Sequence, residues 1–293
     1  MRLFLIINLI INSTCFILPQ IVREWHVIGI DKYIQKTSPY SYNIGNLPMV
    51  LWHDNNEPLS TVNICKHLGS KLNNGIINNG CLYCPNHNIE YNKTDTIGNV
   101  VKKNGLLWWS YKSYNKNPPT IFNENITDIY QKYIDVNVNI INVILEFVYS
   151  NNKNKILNYK NKFFFRESYN DLNHKYFYKY PNFLKGSFNN KYNYCINFLP
   201  LDDNKTRLFI TINGNNIYSK NKICYFIKNK LKNLKNYDNT NYLKYLIILK
   251  NEKNYDIDNK NINYLKKIQL LFDKYSFPNE FTITNFYKYR QFY

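Results

Sequence analysis

Two short runs carry the residues best suited to chemistry: Cys65-Lys-His67-Leu-Gly-Ser, and Cys81-Leu-Tyr-Cys84-Pro-Asn-His87-Asn-Ile-Glu90. Between them they set out Cys65-x-His67, sixteen intervening residues, then Cys84-x-x-His87. Thiolate and imidazole are soft to borderline ligands that favour iron–sulfur clusters and zinc over hard cations. Two thiols and two imidazoles, one of each per loop, suit a [2Fe–2S] centre in which histidines replace cysteines on one iron. Cys65 and Cys84 would then hold the inner iron. His67 and His87 would hold the outer one, nearer solvent, with their far ring nitrogens open to a proton or an electron partner. Zinc accepts the same donors, and Cys81-x-x-Cys84 with Cys65, His67 and His87 is the competing reading. In the cluster reading Cys81 is a small buried residue and not a ligand.

The flanks of these runs resemble the Rieske iron–sulfur domain, in its oxygenase branch. Gly69 follows the first Cys/His pair and Pro85 sits inside the second. Asn88 stands where a glycine is usual, and asparagine tolerates the left-handed backbone better than most residues. Rieske proteins of respiratory complexes carry two further loop cysteines; Ser70 and Asn86 occupy those places, so the resemblance is to the oxygenase or ferredoxin type. The likeness extends beyond the motif. Trp25-His-Val-Ile-Gly-Ile reads as a strand, and Leu51-Trp-His and Leu59-Ser-Thr-Val pair across an Asp-Asn-Asn turn. After the loops come Gly98-Asn-Val, a Gly105-Leu-Leu-Trp-Trp strand and a Pro118-Pro119 exit. His26 and His53 read as ordinary framework histidines.

A chain of 293 residues suffices for two domains. Residues 1–20 form a leader-like stretch, 21–119 the Rieske-like domain and 120–293 a second domain. In the leader, Arg2 precedes an apolar run from Leu3 to Ile11, and small residues follow. That is the shape of a targeting signal, plastid-like in outline and too short and interrupted for a membrane span. An N-terminal helix or strand of a cytoplasmic protein is the alternative. The formal charge is +18, but the lysines are scattered among asparagines and form no block. A solvated basic surface follows, with no nucleic acid expected; its sharper use is a docking face for an acidic electron donor. Six cysteines at 15, 65, 81, 84, 195 and 224 show no disulfide framework, and Cys195 and Cys224 read as buried thiols.

In the second half, residues 133–149 begin with alternation at Ile134, Val136, Val138 and Ile140 and read as strand. Residues 192–199 and 207–213 read as strands joined by the Asp202–Lys205 turn. Residues 264–275 repeat apolar side chains on one helical face before Pro278. The fold class is α+β. The resemblance makes this half a helix-grip domain, an antiparallel sheet wrapped round a long C-terminal helix.

Rieske oxygenases hold a second, mononuclear ferrous iron on two His and one carboxylate. The resemblance sets Glu167, Asp171 and His174 where the family's Glu, electron-bridging Asp and first iron-ligating His fall. On a helix, Asp171 and His174 would share a face. Lys179 stands where the second histidine belongs, and no histidine follows His174. Glu252 is the best candidate for the carboxylate ligand, with Asp256 and Asp258 nearby. A core or helix-surface histidine is the plain alternative for His174. The resemblance implies an oxygenase component: electrons pass from a reductase or ferredoxin through the cluster, His87 and Asp171 to the second iron. There dioxygen is activated on a small organic substrate, in a head-to-tail homotrimer. Two rivals stand beside it: a Rieske electron-transfer protein that has lost the second iron, and a zinc-stabilised interaction module.

Overall fold

The structure is a computed structural model that describes residues 24–45, 47–111, 117–122, 129–149, 157–159, 162–169, 172–179, 182–189, 192–202, 204–214 and 217–234. The leader, Asp171, Glu252 and the helix expected over 264–275 lie outside them. Among the described residues no helix is long and apolar enough to cross a membrane.

The first part is built from short antiparallel strands. In chain order they are β1 (His26–Ile30), β2 (Tyr40–Ile44), β3 (Leu47–Asp54), β4 (Glu57–Val62), β5 (Ile76–Asn78), β6 (Cys81–Tyr83), β7 (Glu90–Tyr91), β8 (Asn99–Lys103) and β9 (Leu106–Ser110). They form three small sheets, ordered β1-β9-β8, β2-β3-β4 and β5-β6-β7. The hairpin of β3 and β4 pairs Trp52 with Leu59 and His53 with Pro58, as the sequence suggests. Its turn is closed by Asn55 and Asn56, both with positive φ, a conformation that asparagine adopts at low cost.

The second part contains β10 (Ile129–Val136), α1 (Ile140–Tyr149), β11 (Leu157–Tyr159), β12 (Lys162–Tyr169), β13 (Leu172–Lys179), β14 (Phe183–Phe188), β15 (Tyr192–Asp202), β16 (Lys205–Asn213) and α2 (Ile217–Leu234). Its described strands make one antiparallel sheet, ordered β10-β16-β15-β14-β13-β12-β11. The strands expected over 192–199 and 207–213 are present as β15 and β16, paired across the turn before Lys205.

Two readings are corrected. Strand does not continue to residue 149; it ends at Val136, and Ile140–Tyr149 is helix. Ile140, Val143, Ile144 and Phe147 are all buried, an i, i+3, i+4, i+7 set that the β-branched run obscures. Residues 171–174 are not helical where described: β12 and β13 form a hairpin in which Glu167 is directly opposite His174. The long described helix is α2, whose Phe226 packs edge-on against Phe147 of α1 and meets Tyr194 of β15.

One apolar core runs through both parts, from Trp25, Leu51 and Trp108 to Leu184, Phe198 and Phe226. The seam is also polar. Buried Asn182 donates to the Trp25 carbonyl at 3.1 Å and bonds His26 Nδ1 at 2.9 Å, while Gly45 N–H donates to the Pro200 carbonyl at 2.7 Å. His26 is thus a framework residue, as expected. Cys195 is fully buried and Cys224 half-buried, both as free thiols. Replacing Asn182 by Ala removes two buried hydrogen bonds at once. It should lower the unfolding free energy by about 2 kcal/mol, measured by urea denaturation.

Candidate metal centre

A second, smaller core lies beneath the Cys/His loops. Val50, Trp52, Leu59, Leu72, Leu82 and Tyr91 bury one another and enclose Cys65 and Cys84. Each loop leaves this core on a strand, Cys65 just after β4 and Cys84 just after β6. The exit of the first loop is pinned by Asn63, whose side chain accepts from Asn73 N–H at 2.8 Å and donates to its Oδ1 at 3.0 Å.

The loops share one backbone design. Cys65 N–H donates to Ser70 C=O at 2.7 Å, and Gly69 N–H returns to Cys65 C=O at 3.0 Å. Cys84 N–H donates to Ile89 C=O at 3.0 Å, and Asn88 N–H returns to Cys84 C=O at 3.1 Å. In both, the fourth residue after the cysteine is left-handed: Gly69 at φ +76° and Asn88 at φ +51°. Asn88 therefore does the work of the usual glycine. The tips are tied together by Asn86 Nδ2 donating to Ser70 Oγ at 2.9 Å.

This geometry sorts the four ligands into two pairs. Cys65 and Cys84 are buried, with their sulfurs within hydrogen-bonding reach of each other. His67 and His87 are exposed, their rings edge to face with centroids 4.7 Å apart. Leu68, next to His67 in the chain, stands 67 % exposed. Two sulfurs inside and two imidazoles outside fit a pair of bridged irons with unlike ligands.

Burial works to raise the Cys65 thiol. It is overcome by hydrogen bonds from the Tyr91 hydroxyl, the His67 N–H, the Cys84 thiol and the Leu68 N–H, which hold it below the ordinary thiol value. A sulfur so surrounded is ready to bind metal as thiolate. Tyr91 was not among the residues that spacing marks out. Its only sequence signal is an aromatic residue on a strand just past the second loop; its target is set by the fold.

Cys81 does not join the set. In β6 Leu82 turns inward and Cys81 and Tyr83 take the other face, and Cys84, just past the strand, is buried again. Cys81 is half-buried rather than buried. Partial burial, then the hydrogen bond with and charge of Glu90, keep its thiol above the ordinary value. The Cys-x-x-Cys pair of the zinc reading is therefore split across a strand.

Of Asp171, His174 and Glu252, only His174 lies among the described residues. His174 sits in the sheet with no exposed surface, its Nε2 2.8 Å from the Tyr194 hydroxyl. The Phe188 ring lies parallel to it at 4.0 Å, and Phe226 meets its edge at 4.6 Å. Lys179, where the resemblance puts a second histidine, ends the same strand, β13. The His174 ring is thus enclosed by aromatic side chains, with Nε2 engaged by Tyr194.

Residues 24–109 match the family model of the Rieske [2Fe-2S] domain. Over 79 residues the chain is 25 % identical to the oxygenase component of a 3-ketosteroid-9-alpha-monooxygenase of Rhodococcus rhodochrous, and over 66 residues 30 % identical to another such component from that organism. These matches cover 27 % and 22 % of this chain but only 20 % and 17 % of the relatives. In fold the likeness is wider. Apo dicamba monooxygenase superposes with a TM-score of 0.60 at 11 % identity, over 87 % of this chain and 97 % of that one. A variant of NdmA from Pseudomonas putida CBB5 with caffeine gives 0.59 at 11 % identity, over 85 % and 89 %.

Two substitutions test the site. Tyr91→Phe removes a donor to the Cys65 sulfur and should lower the reduction potential of the loaded centre by about 60 mV, the one-electron equivalent of a bond worth about 1.4 kcal/mol. Potentiometric titration reads it directly. Asn88→Gly should leave the centre intact, whereas Asn88→Val forces a branched side chain into a left-handed turn at a cost of about 1–2 kcal/mol. Visible absorbance of the two purified variants separates them.

Proposed function

From the premise that residues 24–109 form a Rieske [2Fe-2S] domain, we propose that the chain is the cluster-bearing component of an oxygenase system. It takes electrons singly from a reductase or ferredoxin and serves the oxidation of a small organic substrate. The observation that carries this reading is the sorting of ligands, sulfurs buried and imidazoles exposed. When bound, the cluster supplies reversible one-electron chemistry. The chain's own residues do the rest. Cys65 and Cys84 hold the centre within an apolar bed, and Tyr91 and the loop N–H groups offset negative charge on the sulfurs. His67 and His87 offer ring edges at the surface as the way in and out. The formal charge of +18 supports an acidic donor protein as the partner.

A mononuclear iron on His174 and Glu252, bridged through Asp171 in a homotrimer, belongs to the fuller oxygenase reading; the fold likeness supports it. The bond from His174 to Tyr194 speaks for the second reading, a Rieske electron-transfer protein that keeps the oxygenase scaffold without that iron.

Iron and zinc content with electron spin resonance on anaerobically purified protein decides the matter. Two irons per chain and a Rieske-type reduced signal are expected. A third iron with substrate-dependent oxygen uptake selects the oxygenase, and two irons without uptake select the carrier. Colourless protein with one zinc per chain overturns both.

A further inference from the structure

The residue between the first two ligands is tied into the site three times. Lys66 N–H donates to the Tyr91 hydroxyl at 2.6 Å, and that hydroxyl in turn donates to the Cys65 sulfur. The Lys66 ammonium lies 5.0 Å from the centroid of the same Tyr91 ring. It is held there by Asp95, whose Oδ1 is 3.0 Å from Lys66 Nζ. Asp95 is itself fixed: its Oδ2 accepts from Asn92 N–H at 3.2 Å in a capping box around residues 92–95. A cation over an aromatic face draws density out of the ring, and a phenol so depleted is a stronger donor. The backbone N–H bonded to the hydroxyl oxygen acts in the same sense, because chained hydrogen bonds polarise one another.

We propose that Lys66 is a tuning residue whose ammonium, placed over Tyr91 by Asp95, strengthens the Tyr91–Cys65 hydrogen bond and so raises the reduction potential of the bound centre. The Cys65 sulfur carries more negative charge once an electron has been taken from the donor protein, so a stronger donor favours the reduced state. Lys66 acts through Tyr91 and touches no reacting atom; it is a positioning residue. The inference rests on the cluster reading of the site.

The test is a double-mutant cycle on the full, cluster-loaded chain: Lys66→Met, Tyr91→Phe and the pair, titrated potentiometrically with spin resonance as the readout. Lys66→Met should lower the reduced-to-oxidised ratio at fixed ambient potential by roughly threefold, the size expected of a half-exposed cation–π contact. In the Tyr91→Phe background the same change should do nothing further. An unchanged ratio in the single variant overturns the proposal. So does an equal fall in the Tyr91→Phe background, which would make the effect a direct field of the charge. Lys66→Gln repeats the measurement should the methionine variant fail to load. If neither variant loads while Tyr91→Phe does, Lys66 serves assembly and the tuning role is lost. A parent protein without a cluster would instead overturn the reading of the site itself.

Discussion

Two sulfurs must be kept dry while two imidazoles a few residues away are kept wet. The chain meets this demand by placing each cysteine, buried, in the loop just past a strand, and each histidine two or three residues further on, exposed, in a loop that turns back at once. The turn is possible because the fourth residue after each cysteine is left-handed, Gly69 in one loop and Asn88 in the other. That residue follows the histidine in each loop and brings the chain back, so that the Ser70 and Ile89 carbonyls accept from the Cys65 and Cys84 N–H groups. The apolar bed of Val50, Trp52, Leu59, Leu72, Leu82 and Tyr91 then fixes how deep the sulfurs lie. Tyr91 adds the one polar group in that bed that reaches a sulfur.

The large sheet answers to a different constraint. It is a continuous antiparallel stack with helices packed on it, and its core joins that of the first part through Asn182 and the Gly45–Pro200 contact. His174 belongs to this packing. Its ring is stacked on Phe188 and its Nε2 is engaged by Tyr194.

Ligand spacing is a local property, so Cys65, His67, Cys84 and His87 could be read directly from the chain, and so could the left-handed role of Asn88. The hairpins of the first part and the β15–β16 pair were legible for the same reason, since alternation and turn residues lie side by side in sequence. The reading failed where one stretch satisfied two periods. Residues 133–149 start in alternation and finish on a helical face, and β-branched residues such as Val143 and Ile144 suit either state. It failed again at residues 171–174, where a family pattern suggested a helix. The chain instead pairs Glu167 with His174 across a hairpin rich in phenylalanine and tyrosine, residues that favour strands.

What the amino-acid sequence determined alone is therefore the set of donors and the turns that present them, because both depend on neighbours only a few residues away. What only the tertiary structure decided is which donors meet and at what depth. The separation of Cys81 from Cys84, the reach of Tyr91 to Cys65 and the enclosure of His174 by Phe188, Tyr194 and Phe226 all depend on strands brought together from distant parts of the chain. Contacts of that kind follow from sheet register and core packing, which no short window of sequence contains.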